Sequence, residues 1–150
     1  MSDLTELIRN ALKERATATA VASADLHELT RQFSDAISAN TAGAATLALE
    51  PLDPSETMAG KGGDPFALLL CWNQDERIIR VAELGLEGYP IKFFPSVSIW
   101  HNRTQTAGDA HDRTSLNAYF RDLVTKRDSD VVAMLRFIIG NTAQQPAATA

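Results

Sequence analysis

Between His101 and Arg113 the chain gathers polar side chains of the kinds that bind protons, metals or anions: His101, Asn102, Arg103, Asp109, His111, Asp112 and Arg113. Imidazoles beside carboxylates are the usual ingredients of a zinc or iron site, and of acid–base work near neutral pH. The spacing does not follow that chemistry. Nine residues, one of them a glycine, separate His101 from His111, and no recurrent ligand pattern has that interval. Asp109 and His111 are close in sequence, but Asp-x-His alone is a weak signal. Two readings therefore stay open. One is a solvated loop that caps the helix after it, and the other is a ligand-contacting loop built from His101, Arg103, Asp109, His111 and Arg113. Neither a metal nor a cofactor is expected.

Other chemically suggestive residues have plainer readings. Gly60-Lys61-Gly62-Gly63 invites comparison with a phosphate-binding loop. Such a loop needs four residues between its glycines, then Lys and Ser or Thr, then a helix. Here Gly62 follows Lys61 and a strand comes next, so the segment reads as a flexible surface loop. The single cysteine, Cys71, lies in the apolar run Phe66-Ala67-Leu68-Leu69-Leu70-Cys71-Trp72 and reads as an inert small hydrophobe. His27, beside Leu26 on a helix, reads as a polar-face residue.

A different kind of site is suggested by the strand Ile91 to Trp100. Alternation places Ile91, Phe93, Val97 and Ile99 on one face and Lys92, Phe94, Ser96, Ser98 and Trp100 on the other. The first set is core. The second is polar except for two large rings, so Lys92, Phe94 and Trp100 form a candidate interaction surface if that face is wet. If a terminal helix covers it, both rings are core. Pro95 predicts an edge position or a bulge, and a bulge would shift the alternation.

The elements that carry these residues can be predicted from hydrophobic period. Leu4, Leu7, Ile8, Ala11 and Leu12 recur at helical spacing, as do Leu26, Leu29, Phe33, Ala36 and Ile37. Ser2 is the expected N-cap. Between the stripes, Ala16 to Ser23 forms a small-residue waist. One continuous helix and two helices broken near Ser23 both fit, with the stop at Asn40 to Gly43. The waist invites close approach by another element of the fold or by a second subunit.

Four strands follow: Ala45–Glu50, Phe66–Trp72, Arg77–Leu84 and Ile91–Trp100, joined by a Pro- and Gly-rich loop from Pro51 to Pro65, expected to be mobile, and by two hairpin turns. Short connections imply an antiparallel meander, with Leu70 and Ile79 in its core. A polar loop from His101 to Thr114 leads to a helix with Leu116, Tyr119, Phe120, Leu123 and Val124 on one face, capped by Thr114 or Ser115. A second helix begins at Ser129, carries Val131, Val132, Leu135, Ile138 and Ile139, and ends at Gly140-Asn141. The predicted class is α+β: an N-terminal helical region, a four-stranded antiparallel meander, and two C-terminal helices packed on the sheet. Residues 1–141 form one domain, and residues 142–150 a disordered tail.

Composition narrows function by exclusion. At 150 residues and 45% hydrophobic content the chain builds one core without staples. No apolar run approaches the roughly 20 residues that span a bilayer, and the acidic start is unlike a signal peptide. A cytoplasmic setting and no membrane association are expected. The net charge of −5 is uneven: residues 1–100 hold 14 acids against 8 bases, and residues 101–150 hold 5 against 6. An acidic body repels phosphate backbones, which disfavours nucleic acid, although Arg113, Arg121, Lys126 and Arg127 lie on the mildly basic C-terminal helices. The balance favours a non-catalytic protein–protein interaction module: an adaptor, accessory subunit or inhibitor of a partner protein. The alternative is a small enzyme or ligand-binding domain using the His101–Arg113 loop. A homodimer through the N-terminal helix is a further expectation.

Overall fold

The computed structural model describes residues 2–53, 63–73, 77–95, 108–127 and 129–144. A single helix, α1 (Ser2–Asn40), precedes strands β1 (Ala45–Pro51), β2 (Asp64–Trp72), β3 (Arg77–Leu86), β4 (Ile91–Pro95) and β5 (Gly108–Ala110). Helices α2 (Arg113–Thr125) and α3 (Asp130–Gln144) complete the chain. The class is α+β, as the pattern predicts, and the sheet is antiparallel with strand order β1-β2-β3-β4-β5.

Continuity of α1 through the waist has a local cause. The hydroxyl of Thr17 donates to the carbonyl of Lys13, four residues back, so it does not compete for other backbone conformations. The alanines of the waist, Ala16, Ala18, Ala20 and Ala22, are the best helix formers. Ser23 therefore stays inside the helix, and Ser2 lies in its first turn. The helix stops where Ala42 and Gly43 take positive φ (53° and 79°) and the Gly43 N–H donates to the Ser38 carbonyl.

Sheet and helices form two layers. Register assigns Leu47, Leu68, Leu70, Trp72, Ile79, Ala82, Leu84, Ile91 and Phe93 to the inner face, where they join Ala22, Leu26, Leu29, Leu116, Phe120, Leu123, Met134 and Ile138 of the helices in one core. Leu70 and Ile79 are both buried, as expected. A bulge between Leu68 and Leu69 gives β3 an extra residue, so Val81 and Ala82 are both buried. Aromatic stacking ties sheet to helix where Phe93 lies on Tyr119 at 3.8 Å between ring centroids, and helix to helix where Phe33 lies on Phe120 at 5.3 Å. The outer edge of β1 is closed from within the domain. Thr41 Oγ1 accepts from Ala45 N–H and Ser34 Oγ from Leu47 N–H, both at 3.0 Å, and the strand ends on Pro51.

Several expectations are corrected. Among the described residues the sheet has five strands, not four: Gly108–Ala110, part of the predicted polar loop, pairs with Ile91–Phe93. Three residues without a β-branched side chain give no strand signal, and pairing alone makes this one. β4 is consequently an inner strand at Ile91–Phe93, whereas Pro95, past the reach of β5, pairs among the described residues only with Ala82 of β3, the edge position expected for it. The helix cap is Asp112, whose carboxylate accepts from Ser115 N–H, while Ser115 Oγ reaches back to the Asp112 N–H. Ser129 does start α3: its buried Oγ donates to Leu123 O and accepts from Val131 N–H. That helix passes Gly140 and continues to Gln144, with Asn141 Nδ2 bonded to the Phe137 carbonyl. The expected turn at residues 74–76, the strand segment 96–100, most of the loop 51–65 and the tail from 145 lie outside the described residues.

Candidate functional site

Helix α1 outreaches the sheet. Its 39 residues extend about 58 Å at 1.5 Å per residue. The longest strand among the described residues, β3, has 10 residues and spans about 33 Å. Docking of the helix begins at its waist. Arg15 Nη2 pairs with Glu87 at 2.7 Å, Thr19 Oγ1 donates to the Glu87 carbonyl, and Ala18 lies against Gly88, where an added Cβ would sit 3.6 Å from its own. The small-residue waist thus packs within the fold, against the turn between β3 and β4.

Before that point the helix projects free of the other described elements. Each side chain from Asp3 to Ala18 is exposed, and no described hydrogen bond or ion pair joins residues 3–14 to the rest of the fold. The apolar stripe continues regardless. Leu4, Leu7, Ile8 and Leu12 are 59%, 65%, 52% and 64% exposed, whereas Ala22, Leu26 and Leu29 on the same helical face are buried. One amphipathic face therefore has two fates. Its second half covers the sheet, and its first half, about 20 Å long, covers nothing described. Spacing alone identified the stripe; its lack of cover depends on where the sheet ends.

The sequence-derived surface on β4 lies on the opposite side of the molecule's sheet from the helices. Register puts Glu50, Ala67, Glu83 and Phe94 in one row of the outer face, with Ala48, Leu69 and Arg80 and then Thr46, Cys71 and Ile78 in neighbouring rows. Lys92 is exposed and stands across from exposed Asp109. Phe94 is half-buried, and Ile78 is largely exposed. Leu52, Ala67 and Leu69 form a small second cluster there with Cys71 packed on it, and burial pushes the Cys71 thiol above its ordinary pKa. Glu83 is buried beside Phe94, with Arg80 3.9 Å away and its Oε1 without a hydrogen bond.

Residues of the predicted ligand-contacting loop separate. Asp109 is exposed on β5, and His111 is exposed just before α2, its backbone N–H donating to Ser115 Oγ at 2.7 Å. Arg113 turns back to α1, bonding Asp25 Oδ1 at 2.9 Å and Glu28 Oε1 at 3.0 Å. Tyr89 donates to Asp25 Oδ2 at 2.7 Å, so the cluster links the β3–β4 turn, α1 and α2. The hydrogen bond from Arg113 holds Glu28 below the usual carboxylate range, and burial, then the Asp25 bond, pushes Tyr89 upward. This geometry is that of a clamp between elements. His101, Arg103 and Trp100 lie outside the described residues. Among the described residues no three of His, Cys, Asp or Glu come together as metal ligands, and no helix is long and apolar enough to cross a membrane. No protein-family model matches this chain, and neither curated proteins nor solved structures yield a match.

Proposed function

We propose that this chain is a non-catalytic protein–protein interaction module, an adaptor or accessory subunit, that engages protein through the free half of α1. The uncovered stripe Leu4, Leu7, Ile8 and Leu12 carries the reading. An isolated helix of this length is marginal in water, and large apolar side chains gain by burial. A segment that continues its neighbour's packing face beyond its own sheet is suited to an external partner. Lys92 and Phe94 on the outer sheet face, with Trp100, form a second proposed contact. Cytoplasmic action agrees with a lone cysteine in place of any disulfide framework.

The test is a photo-reactive amino acid placed in the intact chain at Leu7, and separately at Asp35 on the exposed side of the docked half. Irradiation in cells should give a discrete protein adduct from position 7 and none from position 35. Equal labelling from the two positions refutes the reading. A Phe94→Ser variant that loses the adduct would extend the interface to the sheet.

A further inference from the structure

We propose that α1 is one helix but two cooperative units: a docked half that melts only with the domain, and an arm, residues 3–14, that opens and closes alone. Its bearing on binding rests on the interaction reading above, whereas the opening itself does not.

Three observations divide the helix. The first is contact. Every side chain from Asp3 to Glu14 is exposed, so the arm is held helical by its own backbone hydrogen bonds. Beyond the waist, Ala22 and Leu26 are fully buried, and unwinding there takes them out of the core. The second is intrinsic preference. The leucines and Ala11 favour helix, but Thr5, Ile8 and Asn10 favour it less, and Arg9 and Lys13 set like charges four residues apart. Helix and coil therefore lie close in free energy along the arm. The third is the fastening between the halves. The Arg15–Glu87 pair joins side chains 68% and 47% exposed, and exposed ion pairs contribute little. The bond from the Thr19 hydroxyl to the Glu87 carbonyl and the contact of Ala18 with Gly88 come next, so opening from the free end meets no buried side chain before Ala22.

The docked half acts as a standing nucleus, so the arm closes without the cost of starting a helix. Opening and closing run on the scale of helix–coil relaxation, about a microsecond or less. A partner that requires the helix binds only the closed fraction, and its apparent affinity falls by that fraction. The composition of the arm thereby tunes binding without altering the core.

Hydrogen exchange of the intact chain, resolved by residue, tests the division. After correction for intrinsic rates, the amides of residues 7–14 should exchange at least about a hundredfold faster than those of residues 26–37. A matched pair of substitutions tests the cooperativity, since Ala11 and Ala36 are both exposed on the same helix. Ala36→Gly should lower the calorimetric melting temperature by about 2–4 °C. Ala11→Gly should shift it by less than about 1 °C, while speeding exchange in the arm and reducing the far-ultraviolet helical signal. Equal protection of the two halves, or melting temperatures lowered alike by the two substitutions, overturns the proposal. If the exchange step is present but the probe at Leu7 yields no adduct, the two-unit helix stands and the interaction reading falls.

Discussion

Leu7 and Leu26 share a residue type and a helix face, yet their truncation should have opposite consequences. Leu26 is fully buried in the core, so Leu26→Ala loses transfer energy and leaves a cavity, about 2–5 kcal/mol. For a chain of 150 residues that lowers the melting temperature by about 4–20 °C. Leu7 is 65% exposed, so only about a third of the roughly 2 kcal/mol attached to full burial is at stake. Alanine's higher helix propensity offsets part of that, leaving a net cost of about 0.5 kcal/mol or less. Urea unfolding of both variants at the lowest workable concentration gives the comparison. A cost above about 1 kcal/mol for Leu7→Ala in dilute solution would mean that the helix end is packed on its own domain, and the stripe would no longer be free.

Two further outcomes follow from local geometry. At Gly63, φ is +75° and an added Cβ would lie 2.3 Å from the Leu86 carbonyl oxygen, so Gly63→Ala should cost about 2 kcal/mol or more, measured by thermal or urea unfolding. A neutral result would mean the β2–β3 contact is not as close as described. Glu28 titrates below the ordinary carboxylate range because Arg113 bonds its ionised form. A depressed folded-state pKa contributes stability above the unfolded value, and that stability is lost as pH falls through the folded value. The melting-point gap between wild type and Glu28→Gln should therefore be present near neutrality and close in strong acid. A gap that persists there would assign the effect to packing.

Sequence determined the elements of this protein, because helix and strand are local periodicities. The recurrence of Leu26, Leu29, Phe33 and Ile37, and the alternation of Ile91, Lys92, Phe93 and Phe94, each sort a face without knowledge of what lies opposite. Burial of Ile91 and Phe93 and exposure of Lys92 follow directly. Turn chemistry was similarly legible at Gly43 and Ser129. Tertiary structure decided what period cannot express. Gly108–Ala110 is a strand because β4 offers it partners, and its composition gives no hint of that. Arg113, grouped by sequence with the histidines of its loop, is drawn instead to Asp25 and Glu28, more than 80 positions away on another helix. The free stripe is the clearest case. Leu4 and Leu26 are indistinguishable in pattern, and only the mismatch between a helix of about 58 Å and described strands of at most about 33 Å leaves one in solvent and the other in the core.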